Sequence, residues 1–432
     1  MSLKDRLTRL TGDPPGSSGD QRENGISELR MKLERALHRR ERMIQAPVLT
    51  PKRAVTPLEH AVRGEEVRTP QGSFFLSRSV IAGDHLHGHS RICDAACANA
   101  NAVAFLAGLQ MTQNLCLSGG LFLDSETTGL SGGTGTFPFL IGLGWFEQDA
   151  FVTCQLFARD FSEEAAMLRY LGELASGKRF LVTFNGKAYD VNLLVARFIL
   201  NRCQDTLSAM LHIDLLHPSR RLLAHRMENA RLSTIEKEIL GVERDGDLPG
   251  PEIPQRYFDW LRVRDGRLME DVFAHNKFDI ISMASLAKYL SDLSEDQKEH
   301  THDGDLLKLA RLMHERGEIE KAKSILQPLL SSHRADVATD ARQTLSLIHK
   351  RSRRWDAAVE IWQELLASDP YNFFAAEELA KFYEHHTHQY GKALELMRKL
   401  LNNPGRVSDV EQTAAEYRIR RLVHKLSLTS PQ

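Results

Sequence analysis

The chain has 432 residues, of which 42% are hydrophobic and 26% are charged, and its formal net charge is -1. This length predicts two or three domains, each with a sizeable core. The near-neutral balance of charge excludes a polycationic nucleic-acid coat, so any contact with phosphate has to come from local basic patches.

The cysteines and the N-terminus indicate the compartment. The five cysteines form no C-x-x-C pair, and the C-x3-C spacing of Cys93 and Cys97 lacks the second ligand pair of a zinc finger. Reduced thiols are therefore predicted rather than structural zinc. The N-terminus has scattered charges where a signal peptide has an apolar core, and no apolar run is long enough to span a bilayer. We expect a soluble cytoplasmic protein without membrane contact.

Residues 1–64 are predicted to form a flexible N-terminal extension. Residues 11–25 are rich in Pro, Gly, Ser and charge, whereas residues 26–44 have the periodicity of an amphipathic helix with a basic far end. That basic end is either a solvated face or a surface that docks nucleic acid or a partner. Residues 65–117 follow as a small α+β lead-in region, in which a TPQG turn joins the strands EEVR and SFFLSRSV.

The pattern becomes regular between residues 118 and 292. Strands are predicted at LFLDSE, at 137–146 and at 151–159, and strands then alternate with helices up to a last helix at 268–291. The four residues between the second and third strands indicate an antiparallel hairpin. The order βββαβαβα predicts an α/β domain whose mixed sheet is covered by helices on both faces.

The first of these strands runs directly into two acidic residues, in LFLDSETTGL at 121–130. Asp124 and Glu126 are two positions apart and therefore project to the same side of the strand. Two carboxylates on one face repel each other, and a divalent cation such as Mg²⁺ or Mn²⁺ is the usual reason for such a pair. An exposed acidic pair at a strand end is the alternative interpretation.

Two further acidic residues lie later in the same region. Asp190 is in the first turn of the helix that follows the strand RFLVTF, where a carboxylate also stabilises a helix N-terminus. On the last helix His275 and Asp279 are four residues apart and share a face. Taken singly, each of these residues is also explained by a surface position.

Residues 304–427 are predicted to be all helical and repetitive. Three segments align without gaps, and each has a small residue at the same place: GEIEKAKSILQPLL with Ala322, RRWDAAVEIWQELL with Ala358 and HQYGKALELMRKLL with Ala393. The small residue allows paired helices to approach closely. A period of about 34 residues with this pattern resembles tetratricopeptide repeats, which form a short helical solenoid.

Taken together, the four carboxylates resemble the site of the DEDD-type 3′–5′ exonucleases of the ribonuclease H-like superfamily. The resemblance covers residues 118–292. The glycine-rich LSGGTGTFPFLIGLG, the segments FNGKAYD and HIDLLHPSRRL, and the ending around His275 are most similar to the bacterial YprB-like branch. That branch often carries repeats behind its nuclease-like domain, as this chain does.

The resemblance implies a metal-dependent site. It makes Asp124, Glu126, Asp190 and Asp279 the catalytic ligands of two divalent cations, Mg²⁺ or Mn²⁺. In such a site one cation activates a water and the other stabilises the leaving 3′ oxygen. Since clustered acids without cations repel one another, both stability and activity are expected to depend on metal.

His275 is the expected general base, because an unperturbed imidazole has a pKa of about 6.5. Members of the family have either a histidine five residues before the last aspartate or a tyrosine four residues before it. This chain has His275 at the tyrosine spacing and Ala274 at the histidine spacing. A histidine on the helix surface, or one that only orients a neighbour, is the alternative.

Six residues are predicted to contact the substrate, in three groups beside or near the carboxylates: Thr127 and Gly129, Asn185 and Lys187, and Arg220 and Arg221. The last two belong to the arginine-rich segment 217–231, which is suited to tracking phosphates. A solvated helix face explains that segment equally well.

The favoured function is a metal-dependent 3′–5′ exonuclease that acts on DNA or RNA, with repeats that recruit a protein partner or hold substrate. One alternative is a platform with a silent nuclease fold that binds nucleic acid or protein, which would not need to retain four carboxylates. Another is a structure-selective endonuclease, because the same metal chemistry can cut internal bonds.

Overall fold

The structure, a computed structural model, describes residues 55–129, 135–295 and 302–429. The predicted amphipathic helix at 26–44 lies outside the described residues, as does the middle of the glycine-rich loop. Within the described ranges, no helix combines the length and the apolar character required to cross a membrane.

A mixed sheet forms the centre of the α/β region. The strands of the described residues are β1 (Glu65–Thr69), β2 (Gly72–Ile81), β3 (Leu86–His87), β4 (Ser90–Arg91), β5 (Gly120–Thr127), β6 (Pro138–Glu147), β7 (Ala150–Phe157), β8 (Phe180–Thr183) and β9 (Leu211–Asp214). Seven of them form one sheet in the order β1-β2-β7-β6-β5-β8-β9, and β3 pairs with β4. The predicted α/β class with a mixed sheet is confirmed.

Both faces of this sheet are covered. Along β5, Leu121 and Leu123 belong to one hydrophobic cluster and Phe122 belongs to another, and all three side chains are fully buried. Successive side chains of a strand point to opposite faces, so each cluster is the core of one face. The continuous apolar run in the sequence reflects this double burial.

The lead-in region contributes to the same sheet. Strands β1 and β2 pair with each other, and β2 pairs with β7 from Phe75 opposite Phe157 to Ile81 opposite Phe151. Strands β1 and β2 of the region predicted as a small α+β lead-in, residues 65–117, therefore extend the sheet at its antiparallel side. Alternating apolar residues could not indicate this partner, because they show which face of a strand is buried and not which strand pairs with its edge.

The helices of the described residues are α1 (Leu58–Ala61), α2 (Ile92–Ala96), α3 (Ala100–Leu106), α4 (Glu164–Ser176), α5 (Asp190–Leu200), α6 (Leu216–Leu223), α7 (Leu232–Ile235), α8 (Ile253–Val263), α9 (Arg267–Ser294), α10 (Asp303–Glu315), α11 (Ile319–Leu329), α12 (Ala335–Arg351), α13 (Trp355–Ser368), α14 (Phe373–His385), α15 (Tyr390–Leu401) and α16 (Asp409–Thr429). A π-helical segment, Glu236–Leu240, continues α7.

Helix α9 packs directly on strands β5, β6 and β7. Two glycines of β6 make this close packing possible. A Cβ atom at Gly142 would lie 2.1 Å from Asn276 Oδ1, and one at Gly144 would lie 2.4 Å from Ile280 Cγ2. Any larger side chain at these positions would push α9, and the residues it carries, away from the sheet.

Helices α10 to α16 form the all-helical C-terminal region that the sequence predicts, and consecutive helices pack against each other. The aligned alanines Ala322, Ala358 and Ala393 lie on α11, α13 and α15 and are fully buried. Their burial agrees with the expected close approach of paired helices. The assignment as tetratricopeptide repeats stays a prediction.

The first helices of this region share a core with the α/β region. One hydrophobic cluster contains Leu290 of α9, Met313 of α10 and Leu326 of α11. Helix α10 also packs on α6, and Arg316, just after α10, donates from Nη2 to the backbone oxygen of Leu106 over 3.0 Å.

Candidate active site

The four predicted carboxylates converge on one edge of the sheet. Strand β8 pairs in parallel with both β5 and β9, so the carboxyl ends of these strands lie at the same edge. Asp124 and Glu126 lie near the end of β5, Asp190 begins α5 after β8, and Asp279 comes from α9. Each of the four is half-buried.

A buried amide holds Asp124. Asn276 donates from Nδ2 to Asp124 Oδ2 over 2.9 Å, and its Oδ1 accepts from Gln155 Nε2 over 3.0 Å. Asn276 is fully buried and lies against Gly142. Because both ends of the amide are bonded, its orientation is determined, and its donor points at the carboxylate.

Asp190 is held by its neighbours on β5 and β9. Ser125 donates from Oγ to Asp190 Oδ1 over 2.5 Å. The turn before α5 is tied down by Asp214, which accepts from the backbone N–H groups of Asn185 and Lys187 over 2.8 and 3.0 Å. Asn185 has a φ of 67°, a left-handed conformation that asparagine tolerates better than most residues.

Burial and mutual repulsion disfavour the ionised carboxylates. Burial raises the pKa of Asp124 and of Glu126 well above their ordinary values, and the charge of Asp279 is the next cause for both. Burial also raises the pKa of Asp190, although the hydrogen bond from Ser125 opposes that rise. Since the charges of Glu126, Asp190 and Asp279 all act on Asp124, the four groups share one electrostatic site.

An arginine from the loop before α8 reaches into this site. Arg244 donates from Nη2 to Asp279 Oδ1, and to Glu236 Oε1 over 2.5 Å. Its guanidinium carbon lies 4.7 Å from the centre of the Phe278 ring, and only 9% of the side chain is exposed. Arg244 therefore compensates one side of Asp279, while nothing comparable faces Asp124 in the described residues.

His275 lies between two carboxylates. Its Nδ1 is 2.7 Å from Asp247 Oδ1, and its Nε2 is 3.6 Å from Asp279 Oδ2. Arg244 holds Asp247 from the other side, with 3.1 Å between Nη1 and Oδ2. When Nδ1 donates its proton to Asp247, the free electron pair of Nε2 is directed towards the carboxylate site.

A cavity of about 600 Å³ opens over these groups. Its polar lining includes three of the carboxylates, the histidine and two of the predicted substrate contacts: Glu126, Asp190, Asp279, His275, Thr127 and Gly129. Its apolar wall consists of Leu193, Leu248, Pro249, Pro251 and Pro254, and Arg231, Ser233 and Arg244 also line the cavity. Tyr189 stands at this cavity with 53% of its surface exposed.

The remaining predicted substrate contacts lie elsewhere. Asn185 and Lys187 belong to the supporting turn and are not among the described residues that line the cavity. Arg220 and Arg221 line a second cavity, together with Arg316 from the end of α10. The six predicted contacts are therefore divided among a cavity wall, a turn and a separate basic surface.

The chemistry of the donor set fits hard divalent cations. All four groups offer carboxylate oxygens, the ligands that Mg²⁺ and Mn²⁺ prefer. Burial raises the pKa values of Asp124, Glu126 and Asp190, neighbouring carboxylates raise them further, and a bound cation would favour the ionised forms. Ribonuclease H-like nucleases use divalent ions in general, and the groups present here match that requirement.

Another group of potential ligands is closer together. Among the described residues, His225, His302 and Asp305 form the group whose ligand atoms all lie within 4.8 Å of one another. Asp305 Oδ2 already accepts from Arg226 Nη1 and from the Tyr289 hydroxyl, over 2.9 and 2.8 Å. The carboxylates at the sheet edge are spaced more widely than this group.

Three residues of the site escaped the sequence analysis: Asn276, Arg244 and Asp247. Asn276 directly follows His275 on a helix face that is otherwise apolar, which is the one local signal for it. Arg244 and Asp247 lie in VERDGDLPG, a loop without periodicity. Nothing local distinguishes them from ordinary charged loop residues.

Comparison with known proteins agrees with the fold of the α/β region. The signature of the RNase H superfamily matches residues 121–291, which include all four carboxylates. The chain is also 34% identical over 312 residues to "Uncharacterized protein YprB" of Bacillus subtilis (strain 168). That alignment covers 71% of this chain and 75% of the Bacillus protein.

Proposed function

The chain belongs to the family within the ribonuclease H superfamily that includes YprB of Bacillus subtilis, and from this premise we propose that it is a metal-dependent 3′–5′ exonuclease of DNA or RNA. Its ribonuclease H-like domain indicates a hydrolase that processes nucleic acid. The observation that carries the finer proposal is the convergence of Asp124, Glu126, Asp190 and Asp279 at one edge of the sheet, where burial raises the pKa values of the first three.

The four carboxylates are proposed to hold two divalent cations, and neighbouring hydrogen bonds orient two of them. Two divalent cations held by the four groups would supply an activated water and would stabilise the leaving oxygen. Asn276 keeps Asp124 turned into the site, and Ser125 does the same for Asp190. These hydrogen bonds prepare the ligand positions before substrate binds, which avoids a reorganisation cost during the reaction.

His275 is proposed to accept the proton of the attacking water. Asp247 holds Nδ1, which leaves Nε2 as the basic atom beside the carboxylates. A base oriented by a carboxylate on its far nitrogen is a common arrangement for general-base catalysis. The local geometry therefore supports His275 as the base, even though its spacing to Asp279 is that of the tyrosine type.

The size and lining of the carboxylate cavity suit the end of a nucleic-acid strand. Its volume, about 600 Å³, lies within the range of roughly 300–1,000 Å³ that is typical of pockets for small ligands. The apolar wall and the exposed ring of Tyr189 offer stacking surfaces for bases, which are tolerant of sequence. A terminal nucleotide would thus lie between this wall and the carboxylates.

The decisive experiment follows the degradation of 5′-labelled single-stranded DNA and RNA with Mg²⁺ or Mn²⁺. The intact protein is compared with Asp124→Ala and with Asp149→Ala, a matched loss of an exposed aspartate in the β6–β7 turn. We expect a ladder that shortens from the 3′ end, absent with Asp124→Ala and unchanged with Asp149→Ala.

Circular single strands separate the alternatives. An exonuclease leaves them intact, whereas a structure-selective endonuclease linearises them. If folded protein degrades neither linear nor circular strands with either metal, the nuclease proposal is overturned in favour of a binding platform.

A further inference from the structure

A second cavity, of about 450 Å³, lies where the α/β region meets the helical region. Its lining comes from the ends of α3 and α10 and from the length of α6: Leu106, Ala107, His217, Arg220, Arg221, Ala224 and Arg316. None of these residues lines the carboxylate cavity. Three arginines and a histidine are thus gathered around one space, with no acidic residue in its lining.

The three arginines differ in how many hydrogen-bond and ion-pair partners they have. Arg221 forms an exposed ion pair with Glu315. Arg220 is exposed, and within the described ranges no hydrogen bond or ion pair involves its side chain. Arg316 donates a hydrogen bond from Nη2 to the backbone oxygen of Leu106, and its guanidinium carbon lies 4.9 Å from the centre of the Phe105 ring.

The second terminal nitrogen of Arg316 is the informative atom. Arg316 Nη1 is buried and has no hydrogen-bond partner among the described residues. Burial lowers the pKa of Arg316, and the charge of Arg221 lowers it further. Buried donors in proteins nearly always have an acceptor, and an unpaired guanidinium nitrogen beside other cations suits an anionic one.

Helix ends alone do not account for this cluster. Basic side chains are favoured near the C-termini of helices, and α3, α6 and α10 all end close to the cavity. That effect explains the bond from Arg316 to Leu106. It leaves Arg316 Nη1 and the Arg220 side chain without a hydrogen-bond or ion-pair partner in the part of the chain that the structure describes.

We propose that this cavity binds a phosphate group of the nucleic-acid strand, which makes Arg316 of the helical region part of the substrate-binding surface. The inference rests on the proposed nuclease function. A guanidinium offers paired donors that match phosphate oxygens, and the exposed His217, Arg220 and Arg221 leave the cavity open to a long strand.

The position of α6 supports one continuous substrate path. This helix begins two residues after Asp214, which supports the turn that leads to Asp190. Residues along this helix, from His217 to Ala224 just after it, line the basic cavity, and its eight residues span about 12 Å. A nucleic-acid strand whose end occupies the carboxylate cavity would therefore need to extend only a short distance to reach Arg220.

The test measures the affinity for a 5′-labelled single strand of about 30 nucleotides as a function of salt, in an Asp124→Ala background that leaves the strand uncut. One phosphate contact contributes a slope of about 0.7 in log affinity against log salt for single strands. We expect Arg220→Gln and Arg316→Gln each to reduce this slope by about 0.7. Over a tenfold change in salt, from 1 M to 0.1 M, each variant should therefore gain about fivefold less affinity than the parent protein gains.

Arg398→Gln is the matched control, since Arg398 is an exposed arginine of α15 away from the cavity lining. We expect it to leave the slope unchanged. Thermal unfolding of each variant separates binding from folding. If only Arg316→Gln weakens binding and it also unfolds at lower temperature, the cluster is structural and the proposal is overturned.

Further outcomes would also overturn the inference. If the strand binds with the same slope to all variants, the cavity does not contact it, although the proposed nuclease function would stand. If the parent protein does not bind the strand at all, both proposals fall. Calorimetry with inorganic phosphate completes the test, because phosphate binding that Arg220→Gln removes, with unchanged strand affinity, would assign the cavity to a free anion.

Discussion

The helical region and the α/β region both contain acidic side chains that are at least half-buried, but neighbouring cations compensate their charge to different extents. In the helical region Glu384 is 1% exposed and lies within 3.0, 2.6 and 2.9 Å of Arg418, Arg421 and Lys425. Burial raises its pKa, but hydrogen bonds from Arg421 and Lys425 outweigh burial and lower the pKa to about 2.

At the sheet edge the balance is reversed. Asp124, Glu126 and Asp190 have raised pKa values, because burial and neighbouring acids outweigh the few donors available. Paired cations compensate the charge of Glu384, whereas the clustered acids lack such pairing, and acids with raised pKa values in a cavity are typical of functional sites. Their surroundings therefore distinguish Glu384, which is held by cations, from the carboxylates that we propose as metal ligands.

The largest expected effect comes from Asp124→Asn. We expect cleavage to fall by at least about 10³-fold, since a bound cation contributes several kcal/mol to the transition state. Metal-free stability should not fall. The folded pKa of Asp124 is raised, so its stabilising contribution exists below the unfolded pKa and is lost as pH rises through the folded value.

Initial rates and thermal unfolding at neutral pH in a chelator check both parts of this prediction. A marked loss of metal-free stability in Asp124→Asn would show that the carboxylate is compensated after all, and would remove the contrast with Glu384.

His275→Gln tests the proposed base. We expect kcat to fall by about 10²–10⁴-fold, because general-base catalysis contributes that much, while stabilisation by metal persists. His424→Gln, which removes an exposed histidine of α16, should leave kcat unchanged. Equal rates for His275→Gln and the intact protein would leave His275 with an orienting role at most.

Glu384→Gln should affect stability alone. We expect the free energy of unfolding to fall by about 3–5 kcal/mol, since breaking a buried ion pair leaves uncompensated charges. In the intact protein this contribution is present above the ordinary glutamate pKa of 4.5 and is lost as pH falls towards about 2. Urea unfolding against pH measures it, with the exposed Glu395→Gln as control. A change in kcat with unchanged stability would contradict the structural role.

A divalent metal ion should stabilise the protein through the carboxylates at the sheet edge and not through Glu384. At a concentration one hundred times its dissociation constant, Mn²⁺ is expected to add about 2.7 kcal/mol to the free energy of unfolding. Asp124→Asn should reduce this gain, and Glu384→Gln should retain it. Thermal unfolding with and without Mn²⁺ gives the result, and no stabilisation of the intact protein would favour the binding platform.

The smallest effect is expected at Tyr189. Loss of one base-stacking ring in Tyr189→Ala should cost about 1–3 kcal/mol of substrate binding, seen mainly in KM. Tyr189→Phe retains the ring and should behave as the intact protein. If both variants have the same KM as the intact protein, the terminal base does not stack on this side chain.

The sequence by itself determined the elements and the ligand candidates. Apolar runs marked β5 and the strands after it, and the two-residue spacing placed Asp124 and Glu126 together at the end of a strand. The aligned alanines marked the closely packed helices of the C-terminal region. These features are local, because they depend on the periodicity of one strand or one helix.

Only the tertiary structure decided what surrounds those residues. Asn276 reaches Asp124 across 152 positions, Arg244 reaches Asp279 across 35, and His275 reaches Asp247 across 28. The same holds for the separation of Arg220 and Arg221 from the carboxylate cavity. Periodicity shows which face of an element is apolar, but it carries no information about which distant element packs there, and the compensation of a charge depends on that packing.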